Sequence, residues 1–154
     1  MNYWLFKSEP DEYSLDDLKR EPGHTGRWDG IRNYQARNFL RDSVQEGDGV
    51  LFYHSACKVP AIVGTASVVR GAYPDPAQFD PESKYFDPKA TAEQPRWYCV
   101  DIRWQSAFAR PVPLKDVKQN PALEEMVLVK QGRLSIQPVK ATEWRLIEKL
   151  GEAG

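Results

Sequence analysis

Residues 27–41 read RWDGIRNYQARNFLR and carry four arginines, Arg27, Arg32, Arg37 and Arg41, with Trp28 and Tyr34 between them. A guanidinium can hold phosphate oxygens through two parallel hydrogen bonds and can lie flat on a base. An aromatic face accepts a stacked base of any sequence. The pattern is that of a local nucleic-acid-binding patch. It also fits the solvated arginine face of an amphipathic helix, with Asp29 and Asp42 as partial counter-charges, and residue types alone favour that plainer reading. Lys7 and Ser8 follow the apolar run Tyr3–Phe6. A strand end beside a cavity mouth is a usual place for ligand-facing polar groups, although an ordinary polar strand end needs no ligand. The stretch Ser8-Glu9-Pro10-Asp11-Glu12 holds three acids. Clustered carboxylates can bind Mg²⁺ or move protons, but a solvated surface loop is the simpler account.

Other chemistries find no support. The sequence has no Gly-rich phosphate loop and no G-x-S-x-G nucleophile elbow. His24 and His54 have no zinc-ligand spacing around them. Cys57 and Cys99 form no C-x-x-C pair and read as buried or semi-buried free thiols of a cytoplasmic protein. No catalytic residue, metal or cofactor is expected. The net charge of −1 and pI of about 6.1 provide no overall positive field, so any polyanion must be held by a local patch. The N-terminal apolar run is only four residues long and acids follow it, which is neither a signal peptide nor a membrane span. A monomer without membrane contact is expected.

The elements that would position these groups can be read from periodicity. Tyr3–Phe6 is a short strand, and Ser14 caps a helix that buries Leu15 and Leu18. Residues 33–41 have a helical period that places Ala36, Phe39 and Leu40 on one face. Val50–His54 and Ala61–Val69 form a hairpin across a Pro-containing turn. Residues 71–96 hold five prolines and read as a long loop, which its aromatics Tyr73, Phe79, Tyr85 and Phe86 are expected to pack over the barrel mouth rather than leave in solvent. Trp97–Trp104 is a further strand, Pro113 starts a short helix, and Leu134–Val139 is the last strand. A final helix is capped by Thr142 and stopped at Gly151. Trp28 falls between Gly26 and Gly30 in a stretch with neither period. Non-alternating strands and helices argue for a largely antiparallel α+β fold, and a small, strongly twisted sheet can close into a barrel.

Several stretches, in this order, resemble the EVE domain family: YWLFKSEPDEYS at 3–14, WDGIRNYQARNFLR at 28–41, GDGVLFYHS at 47–55, IVGTASVV at 62–69, YPDPAQFDPESKYFDPK at 73–89, PRW at 95–97 and QGRLSIQPVKATEW at 131–144. The resemblance covers almost the whole chain and implies a single domain over residues 1–154. It implies a PUA-like fold, a small mixed β-barrel with flanking helices, similar in turn to YTH domains that hold a methylated base in an aromatic cage. The implied function is reading a modified base, foremost modified cytosine in DNA, with modified RNA as the alternative. By the same similarity Lys7 and Ser8 would face the base, Trp28 would wall the cage, and Asn33 would offer a polar edge. Tyr85, Phe79 and Trp97 are candidates for the opposite wall, and Tyr53, His54 and Ser55 would complete the floor. Arg27, Arg32, Arg37, Arg41 and Lys84 would contact phosphates. Two other readings stay open. One is an RNA-processing hydrolase of the ASCH type, pairing Lys7 or His54 with Glu9. The other is a small-ligand or protein-interaction module using the same pocket.

Overall fold

The computed structural model describes residues 1–152, so the last two residues of the expected span to 154 lie outside it. In chain order the elements are β1 (Tyr3–Ser8), α1 (Leu15–Arg20), β2 (Thr25–Trp28), α2 (Tyr34–Asp42), β3 (Gly49–His54), β4 (Ala61–Pro74), β5 (Tyr98–Pro113), α3 (Leu114–Gln119), α4 (Val127–Lys130), β6 (Ile136–Val139) and α5 (Ala141–Glu152). The six strands form one sheet in the order β2-β5-β4-β3-β1-β6. Strand β1 runs parallel to β3, and every other pair is antiparallel.

Strand β1 shows why the sheet sits between two helical layers. Successive side chains of a strand point to opposite faces. Trp4 and Phe6 join a core with Leu18, Leu40 and Phe52, beneath α1 and α2. Leu5 joins a second core with Leu51, Ile62, Val117 and Ile147, under α3 and α5. A sheet covered on both faces has no need to wrap on itself. The expected barrel is therefore corrected to an open sheet, with the four-residue strands β2 and β6 at its two edges. The α+β class holds. No helix among the described residues is long and apolar enough to cross a membrane.

Ser14 caps α1 as expected, in a reciprocal capping box with Asp17. The apolar face of α2 is Ala36 and Leu40, both fully buried, with Phe39 packed beside them. Several boundaries differ from the expectation. Strands β4 and β5 run on to Pro74 and Pro113, bending through register shifts that break the simple alternation. Helix α5 begins at Ala141, so Thr142 lies inside it, and the Lys140 N–H instead donates to Glu143 Oε1 at 2.9 Å. Gly151 does not stop α5; it sits in the helix because a Cβ there would lie 2.4 Å from the Phe108 ring.

The segment between β4 and β5 folds back onto the domain rather than into solvent, although the open sheet leaves no barrel mouth for it to cover. Gln78, fully buried, staples its two ends. Its Nε2 donates to the carbonyls of Asp75 (2.9 Å) and Trp97 (2.8 Å), and its Oε1 accepts from the N–H groups of Arg96 and Trp97, both at 2.9 Å. Tyr73 and Tyr85 are half-buried, whereas Phe79 and Phe86 remain 37% and 39% exposed.

Candidate functional site

The C-terminal end of β1, the end of β2 and the loop before α2 meet around a cavity of about 490 Å³. Lys7 and Ser8 reach it from β1, Arg27 and Trp28 from β2, Gly30, Arg32 and Asn33 from the loop, and Lys84 and Tyr85 from the folded-back segment. Tyr13, Glu9, Glu12, Asp29 and Ser135 complete much of the lining.

Trp28 is not a free-standing loop residue. It ends β2, pairs across to Val100 of β5 and is only 5% exposed. Its ring centroid lies 5.3 Å from that of Phe6 and 5.3 Å from that of Phe52, the latter edge to face at 88°. Tyr13 meets it edge-on at 6.2 Å. Trp28 is thus a core anchor and part of the cavity lining at once, the two roles its residue type left open; what the flanking glycines and the charged Arg27 hid is the strand that carries it. Tyr85 is held at the cavity by a close backbone approach. Gly30 has φ +77°, and a Cβ there would fall 2.8 Å from the Tyr85 ring. The Gly30 N–H donates to Asp75 Oδ2 at 2.9 Å.

Arg32 is a structural pin. Its Nε and Nη2 donate to the Tyr85 carbonyl (3.1 and 2.8 Å), and its Nη1 donates to the Ile31 carbonyl (2.9 Å) and to Asp75 Oδ2 (3.0 Å). Four of its five N–H donors are engaged within the protein. Asp75, fully buried, also accepts from the Ala77 N–H at 2.8 Å. Arg32 therefore fixes Tyr85 rather than waiting for a phosphate. Arg37 leaves the cavity altogether: it lies 4.8 Å from the Tyr34 ring and donates to the Arg96 carbonyl at 2.7 Å. Arg41 sits near the end of α2, paired with Asp42 at 2.7 Å. The expected patch of arginines is thus divided. Arg27, paired with Asp29 at 3.2 Å, and Lys84, paired with Glu12 at 3.0 Å, stay half-exposed at the rim.

The polar edges are placed as follows. Lys7 Nζ donates to the Gly132 carbonyl and lies 5.3 Å from the Tyr53 ring centroid; burial lowers its pKa. Ser8 Oγ donates to the Tyr13 carbonyl at 2.6 Å. Asn33 Oδ1 caps α2 by accepting from the Ala36 N–H at 2.9 Å, while its amide nitrogen makes no hydrogen bond among the described residues. Four cations of the lining (Lys7, Arg27, Arg32, Lys84) face three carboxylates (Glu9, Glu12, Asp29), a weakly positive balance.

Tyr53, His54, Ser55 and Trp97 do not line this cavity. Tyr53 belongs to the opposite core, where burial pushes its pKa up to about 12. Ser55 extends the β1–β3 pairing, its N–H donating to the Ser8 carbonyl at 2.9 Å. His54 Nε2 accepts the Leu15 N–H at 3.1 Å, which satisfies the first turn of α1, and burial lowers its pKa. Its accepting nitrogen is already engaged, and it lies off the cavity that Lys7 and Glu9 both line. Trp97 is buried, stacks on Tyr34 at 4.9 Å and donates its indole N–H to Asp87 Oδ2 at 2.8 Å. Phe79 also lies off the cavity. Tyr13 and Ser135 were missed in the sequence. Tyr13 precedes the N-cap Ser14, a position that often packs inward. Ser135 is brought in by a long-range contact, its carbonyl accepting the Lys7 N–H at 3.0 Å, and no local signal announces that.

A family model described as "EVE domain" matches residues 2–150. The chain belongs to the EVE domain family. It is 40% identical to mouse thymocyte nuclear protein 1 over 98% of this chain and 74% of that protein. The crystal structure of a protein from Pseudomonas syringae is 50% identical with a TM-score of 0.90, covering 97% of this chain and 99% of that one. Human THYN1, solved in complex with 5-methylcytosine containing DNA, is 38% identical with a TM-score of 0.93, covering 100% of this EVE domain and 99% of that chain. A YTH domain from Zygosaccharomyces rouxii, at 19% identity and a TM-score of 0.55, shares the fold.

Proposed function

We propose that this EVE domain is a non-catalytic reader that takes a modified base of a nucleic acid into the cavity between Trp28 and Tyr85, with 5-methylcytosine in DNA as the favoured ligand. The observation that carries the reading is the convergence of Lys7, Ser8, Trp28, Asn33 and Tyr85 on one cavity, in a chain that covers 99% of the human THYN1 chain solved with 5-methylcytosine containing DNA. A flat base flipped from its stack needs aromatic faces and a few hydrogen-bonding edges. Trp28 and Tyr85 supply the faces, and Lys7 and the free amide of Asn33 supply the edges. Arg27 and Lys84 at the rim supply phosphate contacts, and these two contribute about −1.8 to the log–log salt slope on duplex DNA. Burying one methyl group is worth about 0.8 kcal/mol, about fourfold in affinity, and pocket shape must add the rest.

The test is a titration of the protein with matched DNA and RNA oligonucleotides carrying cytosine or 5-methylcytosine, read by fluorescence anisotropy. Tighter binding of the methylated DNA by fourfold or more, without chemical change to it, supports the reading. Equal affinity for all four oligonucleotides refutes it.

A further inference from the structure

A second, polar groove of about 370 Å³ adjoins the base cavity. Asn33 lines both. The far wall of the second groove is the turn between α4 and β6, with Gln131, Gly132 and Arg133, and Gln35 of α2 faces it. The same turn is tied to the base cavity, since the Gly132 carbonyl accepts from Lys7 Nζ and the Ser135 carbonyl accepts from the Lys7 N–H. One wall therefore serves both spaces. Arg133 is exposed and makes no ion pair among the described residues, unlike Arg27, Arg32, Arg41 and Lys84. An unpaired guanidinium beside side-chain amides is suited to a phosphodiester, which it can hold through two hydrogen bonds.

We infer that this groove is the track for the sugar–phosphate backbone next to the bound base, with Arg133 as the phosphate contact and Gln35 and Gln131 as flanking hydrogen-bond donors. The inference rests on the base-reading function above and adds to it the path of the strand. A base standing in the Trp28–Tyr85 cavity keeps its backbone at the mouth, and the shared residue Asn33 marks the polar way out. The sequence pattern pointed to the arginines of residues 27–41 for this task; the structure commits Arg32 and Arg37 to the fold, pairs Arg27 and Arg41 with neighbouring carboxylates, and leaves Arg133 without an ion pair among the described residues.

The experiment compares wild type, Arg133→Gln and Arg145→Gln. Arg145 is an exposed residue of α5 that lines neither space and controls for the lost charge. Each protein is titrated with a short duplex carrying 5-methylcytosine across a salt series, and with the free nucleoside 5-methyl-2′-deoxycytidine. The expected result is that Arg133→Gln weakens duplex binding about five- to tenfold at 0.1 M salt and makes the salt slope shallower by about 0.9, the value of one phosphate contact. Its nucleoside affinity and melting temperature should match wild type. An unchanged duplex affinity and slope, or an equal loss in Arg145→Gln, overturns the track while leaving the base cavity standing. Failure of the wild type to bind either the duplex or the nucleoside overturns both.

Discussion

Replacing Trp28 with alanine separates its two roles. The side chain is 5% exposed and is surrounded by the rings of Phe6, Tyr13 and Phe52 at centroid distances of 5.3–6.2 Å. Truncating a buried tryptophan leaves a cavity that a sheet packed on both faces closes poorly, and costs about 3–5 kcal/mol. In a domain of 154 residues each kcal/mol lowers the melting temperature by about 2–4 °C, so the expected fall is about 6–20 °C. Differential scanning calorimetry with urea denaturation measures it. Trp28→Phe keeps an aromatic ring against the same neighbours and should lose clearly less. Base binding, measured at a temperature where both variants are folded, should drop in Trp28→Ala by a further 1–3 kcal/mol or so if a base stacks there. A Trp28→Ala protein that melts within about 2 °C of wild type refutes the core role. One that is destabilised yet binds methylated DNA with full affinity refutes the stacking role.

Other variants probe the scaffold around the cavity. Gly30→Ala forces a side chain into φ +77° and against the Tyr85 ring, so a stability loss of about 1–2 kcal/mol and weaker base binding are expected together; unchanged binding would mean Tyr85 does not wall the site. Asp75→Ala leaves the Arg32 guanidinium and the Gly30 N–H without their buried acceptor, and urea denaturation should show a loss of about 3–5 kcal/mol; a loss under 1 kcal/mol or so contradicts the pin. His54 gives a pH signature. Its folded pKa lies below the ordinary value of about 6.5, so the unfolded chain takes up the proton first as pH falls below that value, and stability declines there. Wild type should lose stability between pH 7 and 5 by more than His54→Asn does, and parallel curves would refute the assignment.

Much of the scaffold was legible in the sequence. Ser14 and Asp17 at cap and N3, the Ala36–Leu40 face and the Val50–Val69 hairpin are local patterns, and local patterns survive into the fold. The edge strand β2 was hidden because Gly26 and Arg27 interrupt an alternation that only the pairing with β5 makes sense of. Barrel closure was expected from the twist of a small sheet and from the family resemblance, but the decision lay in how much apolar surface each face presents, and α1, α2, α3 and α5 cover both. For the site, Lys7, Ser8, Trp28, Asn33 and Tyr85 do meet. Residue type failed where chemistry-capable groups serve the fold: His54 caps α1, Trp97 packs on Tyr34, and Arg32 positions Tyr85. Such roles depend on partners far along the chain. Arg32 and Asp75 are 43 residues apart and share no sequence signal.

The central claim is that the modified base enters the space between Trp28 and Tyr85. The most direct measurement is NMR on the protein bound to a duplex whose single 5-methylcytosine carries a ¹³C-labelled methyl group. The account predicts an upfield-shifted methyl resonance, with nuclear Overhauser contacts to the ring protons of Trp28 and Tyr85. A protein that binds the duplex while the methyl keeps its free-duplex shift and shows no contact to either ring would contradict it.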